Sequence, residues 1–177
     1  MPTGLDADAF TEAFARHGRA LWLVASAWVG RDAAADLVQE TARIAWQRRD
    51  QFRRGSDIAA WLAQIVRHTG ANWRRQRRPR LLDELPEPDA PAPPPVAWAL
   101  DADGLDLPDD LARALGTLSE VGRACLLLHI VGELPFATIA TMLDLNENTA
   151  MSHARRAREQ LRAALGTNLP TPKASTP

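Results

Sequence analysis

The sequence has very little cysteine and no tyrosine. Its single cysteine, Cys125, lies in the apolar run ACLLLHIV, so it can form no internal disulfide and no cysteine-based metal site. We expect Cys125 to be a buried, small apolar residue. No apolar run approaches the roughly 20 residues that a membrane span needs, and the acidic start MPTGLDADAF does not resemble a signal peptide. These absences predict a cytoplasmic protein with no membrane insertion.

The chain also lacks an overall positive charge, which taken alone argues against nucleic-acid binding. Its formal net charge of -1 hides a segregation of charges along the sequence. Residues 1–80 carry a net charge of about +6, residues 81–120 about -9, and residues 121–177 about +2. Two basic parts flank an acidic one, so the total charge does not exclude a nucleic-acid partner.

Proline and aspartate dominate the stretch from Arg78 to Asp110, where no hydrophobic periodicity is sustained. This composition predicts a flexible, acidic, Pro-rich linker over residues 79–107 and a disordered tail over residues 166–177. A flexible chain of about 30 residues has a root-mean-square reach of about 30 Å, which prolines extend. The sequence therefore predicts two small, separately folded units some distance apart.

Both units are predicted to be all-α, because apolar residues recur at intervals of three and four. The first unit, residues 8–78, is expected to be a three-helix bundle with helices near 7–29, 33–50 and 57–78. The second unit, residues 108–165, is expected to contain four shorter helices, near 109–116, 119–131, 135–143 and 147–165. The turn LDLNEN, with Asn146 as a cap, makes the last two helices a helix-turn-helix candidate.

The last predicted helix has an apolar stripe at helical spacing, formed by Ala150, Ala154, Ala157, Leu161 and Leu165. The opposite face is then polar and includes Asn148, Ser152, Arg155, Glu159 and Arg162. Small side chains near the start of the helix permit close entry into a major groove, and arginines can contact phosphates or guanine edges. A solvated surface helix has the same composition, so this segment alone leaves both interpretations open.

Two stretches of the first unit have candidate binding side chains. In DLVQETARIAW, Leu37, Thr41, Ile44 and Ala45 can face the core, which leaves Asp36, Gln39, Glu40 and Arg43 largely outward. In RHTGANWRRQRRPR, arginines surround Asn72 and Trp73, a combination that suits single-stranded nucleic acid because arginines hold phosphates and a ring stacks on bases. Plain solvation explains both stretches as well, and Trp73 could be core, as is expected of Trp22, Trp28, Trp46 and Trp61.

Two motifs give the chain a family resemblance. DLVQETARIAW resembles region two, and LSEVGRACLLLHIVGELPFATIATMLDLNENTAMSHARRAREQL resembles region four, of bacterial RNA polymerase sigma factors in the extracytoplasmic-function (ECF) group of the sigma-70 family. The resemblance covers about residues 10–78 and 108–165. It implies an alternative sigma factor, with no cofactor and no enzymatic activity, that binds core RNA polymerase and directs promoter-specific transcription initiation.

The resemblance also implies which residues bind which partner. The clamp helices of the polymerase's largest subunit are expected to contact Asp36, Gln39, Glu40 and Arg43, and the β-subunit flap is a second polymerase partner. The melted minus-ten strand is expected to contact Phe52, Arg53, Ser56, Asp57, Arg67, His68, Asn72, Trp73, Arg74 and Arg75. The minus-thirty-five duplex is expected to contact Asn148, Thr149, Met151, Ser152, His153, Arg155 and Arg156. The resemblance also implies an anti-sigma factor as a partner. Phe52 has an alternative role, which is to anchor its loop to the core.

The sequence departs from the family pattern at four positions. Met151 and His153 stand where relatives commonly carry Lys and Arg, which predicts weaker phosphate contacts and a lower salt dependence. Met151 is expected to pack against a neighbouring helix, the alternative being contact with a thymine methyl group. Pro135 replaces the usual capping Ser, and a proline in the first turn should leave the helix intact. His68 stands where relatives frequently carry Asn. The base that the protein prefers in the minus-ten element therefore stays open.

Two other functions compete with a sigma factor. A sigma-like mimic that sequesters an anti-sigma factor would fit the unusual Met151 and His153. Such mimics generally carry a receiver domain, for which no segment here is long enough. A stand-alone helix-turn-helix regulator would explain residues 108–165 but would leave the DLVQET motif unused.

Overall fold

The structure, a computed structural model, describes residues 4–53, 55–76 and 107–166 of the chain. Within these ranges the chain is helical, with no β-strand. The first unit consists of α1 (Ala7–Val29), α2 (Arg31–Gln47), a 3-10 turn (Arg49–Gln51) and α3 (Ile58–Gln76). The second unit consists of α4 (Asp109–Gly116), α5 (Glu120–Ile130), α6 (Phe136–Leu143) and α7 (Glu147–Leu165).

The predicted all-α fold with two helical units is confirmed, and the predicted helix bounds agree to within a few residues. The largest difference is in α2, which begins at Arg31 directly after Gly30 and gives way to the 3-10 turn after Gln47. Gly30 has φ +86, a conformation that side chains disfavour, and its N–H donates to the Ser26 carbonyl at 3.0 Å. Almost all of the predicted linker and tail lies outside the described residues, and no helix described here is long and apolar enough to span a bilayer.

The first unit is a three-helix arrangement in which α1 packs against both α2 and α3. Its interior contains fully buried side chains from all three helices, including Phe10, Phe14, Leu37, Leu62 and Val66. A Cβ added at Gly70 would lie 2.9 Å from the Cβ of Trp28, closer than real side chains approach. Glycine at this position therefore lets α3 lie directly against α1.

The second unit is built around α5, which packs against α6 and α7. The apolar stripe of α7 is buried at Ala150, Ala154, Ala157 and Leu161, as its spacing predicts. Cys125 is fully buried in α5, and burial raises the pKa of its thiol to about 11. The expectation that Cys125 is a buried apolar residue is confirmed.

The prediction that the two units lie some distance apart is wrong for this structure. Helix α1 packs against α5, and α3 packs against α6, so a continuous apolar core runs through both units. The physical reason is visible in α1, where all seven residues from Leu21 to Ala27 are buried. Seven consecutive residues of a helix point in every direction around its axis, so α1 must be covered on more than one side.

Candidate polymerase and promoter interfaces

The outward face of α2 presents the polar residues that the sequence analysis singled out. Asp36, Gln39 and Arg43 are exposed and Glu40 is half-buried, whereas Leu37, Thr41 and Ala45 on the opposite face are buried. The Thr41 hydroxyl donates to the Leu37 carbonyl at 2.8 Å, which satisfies this buried polar group within the helix. The apolar residues of α2 are spaced so that one face of the helix is buried in the core, and this burial directs the polar face outward.

Glu40 and Arg43 form a two-pronged ion pair on this face. The Arg43 Nε donates to Oε2 of Glu40 at 2.9 Å, and its Nη2 donates to Oε1 at 2.6 Å. The hydrogen bond to Glu40 raises the pKa of Arg43. Because Arg43 partly neutralises Glu40, Asp36 is the more accessible negative charge for a basic partner helix.

The loop between the 3-10 turn and α3 has one buried and several exposed side chains. Phe52 is 8% exposed, and the centroid of its ring lies 5.3 Å from the centroid of the Trp61 ring. Phe52 therefore anchors the loop to the core, and in this conformation its ring does not face solvent. Arg53, Ser56 and Asp57 are exposed, and Asp57 also caps α3, because its Oδ1 accepts the Ala60 N–H at 2.9 Å.

The basic end of α3 divides into residues that face solvent and residues that contact the second unit. His68, Asn72 and Arg75 are exposed, with Arg75 donating to the Asn72 side-chain oxygen. Trp73 is half-buried against the core. In contrast, Arg67 donates to the Leu143 carbonyl and Arg74 pairs with Glu120, both in the second unit. Three further arginines of the RHTGANWRRQRRPR stretch lie outside the described residues: Arg77, Arg78 and Arg80.

The helix-turn-helix geometry comes from two specific helix ends. Helix α6 starts directly after Pro135 without a side-chain cap, so the proline leaves the helix intact, as predicted. It ends at Leu143, and the next residue, Asp144, has a φ of +56, in the left-handed region that asparagine and aspartate tolerate. The Asn146 side chain then accepts the Thr149 N–H at 2.8 Å and caps α7, which confirms its predicted role.

The candidate recognition face of α7 is accessible in this structure. Asn148, Met151, Arg155 and Arg156 are exposed, whereas Thr149, Ser152 and His153 are half-buried. Arg156 donates through Nε to the Ser152 carbonyl at 3.3 Å, and Arg155 lies 3.4 Å from a carboxylate oxygen of Glu159. The Met151 side chain is 47% exposed, so the expectation that it packs against a neighbouring helix is wrong.

Some residues with clear structural roles were missed by the sequence analysis. Arg123 in α5 donates to the Ala27 carbonyl of α1 at 3.0 Å and also binds the Gly116 and Leu118 carbonyls. Its burial lowers its pKa, and the nearby positive charge of Arg74 acts in the same direction. Arg19 and Glu120 likewise make contacts between the units. The sequence feature that could have predicted this contact between the units is the long apolar run LWLVASAW in α1. A helix that is covered on one side only would not be so apolar.

An apolar groove of about 350 Å³ lies on the second unit, at some distance along α7 from its N-terminal end. Its walls include Leu111, Leu126, Ile130 and Leu161, and Ile130 is 51% exposed. Arg158 and Arg162 of α7 also line it. The described ranges contain no cluster of three or more His, Cys, Asp or Glu side chains that could hold a metal ion.

Comparison with known proteins agrees with this division of the chain. Residues 13–80 match the family model for sigma-70 region 2, and residues 109–161 match the model for sigma-70 region 4. Among solved structures, the chain is similar to the sigma factor RpoE in complex with the anti-sigma factor NepR from Bartonella quintana. That match has 26% identity and a TM-score of 0.62, and it covers 90% of this chain and 98% of that one.

A second similar structure is that of CnrH in complex with the cytosolic domain of CnrY. It has 28% identity to this chain and a TM-score of 0.61, and the match covers 90% of this chain and 89% of that one. Two family models in the expected order, together with two structures that match over nearly the whole chain, agree with the motifs and with the helix-turn-helix geometry. The chain belongs to the ECF group of the sigma-70 family, with region two in its first unit and region four in its second.

Proposed function

We propose that this sigma factor binds core RNA polymerase through the outward face of α2 and directs initiation by reading two promoter elements. Asp36 and Gln39 are exposed on that face, and Glu40 lies beside them in its ion pair with Arg43. This mixture of carboxylate and amide groups is complementary to a basic helix such as the polymerase clamp would present. The accessibility of this face, opposite a fully anchored core face, is the observation that carries the proposal.

The promoter contacts are assigned to two separate surfaces. Helix α7 would enter the major groove of the minus-thirty-five element, with Asn148, Ser152 and Arg155 nearest to the bases and phosphates. The loop at Ser56 and Asp57, with the basic end of α3, would hold the melted minus-ten strand. Contacts made only with unpaired DNA stabilise the open promoter relative to the closed one, so the protein would promote melting by differential binding.

Two further partners are part of the proposal. The apolar groove of region four is also lined by Arg158 and Arg162. It therefore suits an apolar helix of the β-subunit flap that carries some negative charge. An anti-sigma factor is the second partner, since both similar structures are of complexes, RpoE with NepR and CnrH with CnrY. We propose that the protein functions in the cytoplasm, where it would bind the polymerase.

Reconstituted transcription tests the proposal directly. Purified protein is added to core polymerase, and transcripts from genomic fragments are mapped. We expect promoter-specific transcripts. A stable polymerase complex without initiation would instead indicate a sigma-like mimic, and a failure to bind polymerase would indicate a stand-alone DNA-binding regulator.

The double variant Asp36→Arg, Glu40→Arg tests the α2 face. It should reduce polymerase affinity by at least about 100-fold, because charge reversal at the centre of a complementary interface adds repulsion to the lost attraction. The matched control is Asp8→Arg, Glu12→Arg, which reverses two exposed acidic residues at the same spacing on α1. Equal polymerase affinities for the two double variants would contradict the assignment, and circular dichroism verifies that both are folded.

A further inference from the structure

The segment that precedes α1, residues 4–6, lies against the 3-10 turn that follows α2. The Leu5 N–H donates to the Arg49 carbonyl at 3.3 Å. A Cβ added at Gly4 would be 3.0 Å from that carbonyl oxygen and 3.1 Å from Cα of Asp50, closer than most real Cβ atoms approach. Gly4 also has φ +131, in the region that favours glycine. Glycine therefore lets the segment contact the backbone of the turn.

The same segment is fixed at its junction with α1. The Asp6 side chain caps α1 by accepting the Ala9 N–H at 2.8 Å, so the helix sets the direction in which the segment leaves it. Phe10, in the first turns of α1, is fully buried, and the centroid of its ring lies 5.2 Å from that of the Trp46 ring in α2. The position of the segment thus follows from the packing of α1 against the end of α2.

The side chain of Arg49 ties the 3-10 turn to α2. Its guanidinium carbon lies 4.4 Å from the centroid of the Trp46 ring, and its Nη1 donates to the Trp46 carbonyl at 2.9 Å. The Arg49 residue is therefore held at two points. Its side chain is bound to α2, and its carbonyl accepts the N–H of Leu5.

The Arg49 carbonyl also connects the segment to the loop that follows the turn. It accepts the Phe52 N–H at 3.2 Å, in addition to the Leu5 N–H. A carbonyl oxygen has two lone pairs, so it can accept both hydrogen bonds at once. The Phe52 ring is buried against Trp61, and this anchors the start of the loop. One oxygen atom therefore joins residues 4–6 to the residue that anchors the loop.

The loop after Phe52 has three exposed side chains that we assign to the melted minus-ten strand: Arg53, Ser56 and Asp57. Its far end is fixed because Asp57 caps α3. A loop that is already held in its binding conformation loses less conformational entropy when it binds its ligand. The near end therefore also has to be held if the loop is to bind an unpaired base tightly.

We propose that residues 4–6 position this loop for capture of the minus-ten base. Leu5 is then a positioning residue that acts through the Arg49 carbonyl and Phe52. This inference rests on the proposed function of the loop. Loss of the hydrogen bond from Leu5 would loosen the 3-10 turn, so the captured base would be held less firmly, whereas the other promoter contacts would be unaffected.

Two variants, each with a matched control, test the positioning role. Leu5→Pro removes the N–H that is donated to Arg49, and its control Leu5→Ala shortens the side chain but keeps the N–H. Gly4→Ala places a Cβ against the turn, and it serves if the proline variant fails to fold. Its control is Gly166→Ala, where φ is also positive, at +62, but where the added Cβ has open space among the described residues.

The measurement is the affinity of the reconstituted holoenzyme for labelled single strands that carry the minus-ten element of a promoter identified in the transcription assay. Each base of the element is replaced in turn by an abasic site. The replacement that weakens wild-type binding most identifies the captured base.

We expect Leu5→Pro to bind the intact strand about three- to tenfold more weakly than Leu5→Ala, and Gly4→Ala about threefold more weakly than Gly166→Ala. The loss of affinity caused by an abasic site at the captured base should shrink by the same factor. The losses caused by abasic sites at the other positions should stay as in the wild type.

A general loss of stability would give a different pattern. It would weaken binding to every strand alike and leave the effects of all abasic sites unchanged, and this result would overturn the positioning role. Equal affinities for the intact strand within both pairs of variants would overturn it as well. If no abasic site weakens wild-type binding, the proposed function of the loop is itself wrong, so the two failures can be distinguished.

Discussion

At the scale of single residues, the candidate recognition face of α7 is centred on Met151 and its neighbours. Met151 follows the buried Ala150 and lies on the same side as Asn148 and Arg155, three and four residues away. The helical spacing predicted the buried stripe, but it left open whether Met151 would be covered by another helix. The structure leaves Met151 exposed, at a position where the family resemblance leads us to expect a lysine.

Met151→Lys should therefore strengthen binding to a minus-thirty-five duplex taken from a promoter identified in the transcription assay. One added phosphate contact should steepen the plot of log affinity against log salt concentration by about 0.9 and raise affinity several-fold at low salt. Fluorescence anisotropy at several salt concentrations measures both quantities. Ala163→Lys adds the same charge at an exposed position near the far end of α7. A salt slope that changes equally in both variants would contradict a phosphate contact at position 151.

At the scale of elements, the helix-turn-helix depends on how α7 begins. Asn146 caps α7 through the Thr149 N–H, and Ser119 caps α5 in the same way, accepting the Gly122 N–H at 3.2 Å. Capping residues of this kind can be predicted from the sequence, because each cap involves only a few consecutive residues. The 3-10 turn before Phe52 could not be predicted, because it depends on the burial of the Phe52 ring against Trp61 in α3.

Asn146→Ala and Ser119→Ala form a matched pair of cap deletions. Each should lower the free energy of unfolding by about 1 kcal/mol and the melting temperature by a few degrees. Only Asn146→Ala should also weaken minus-thirty-five duplex binding, because it loosens the first turn of α7, which we propose enters the groove. Thermal melts and anisotropy measure the two effects. Duplex affinities that fall equally in both variants would show that binding follows overall stability rather than the start of α7.

At the scale of the whole molecule, the shared core should make region two and region four unfold together. Leu62 in α3 and Leu128 in α5 are both fully buried, one in each region. Truncation to alanine at either position should cost about 2–5 kcal/mol. Because α1 packs on both sides, we expect one calorimetric transition in the wild type and a downward shift of that single transition in Leu62→Ala and in Leu128→Ala alike.

Independent units would behave differently in the same calorimetric experiment. The wild type would then show two transitions, and each variant would shift only the transition of its own unit. Agreement between the calorimetric and van 't Hoff enthalpies is a second check on a single cooperative transition. Two wild-type transitions would mean that the docked arrangement does not persist at the temperature of unfolding.

The sequence by itself determined the helices, the Asn146 cap and the two motifs, because these depend on residues within a few positions of each other. The spacing in DLVQET and in the last helix placed Asp36, Gln39, Asn148 and Arg155 on exposed faces before any tertiary information. What only the tertiary structure decided depends on contacts between distant segments. Arg67 reaches a carbonyl 76 residues away, and Arg74 reaches Glu120. Whether these arginines can contact DNA or instead contact region four depends on how the two units pack. No local sequence pattern predicts that packing.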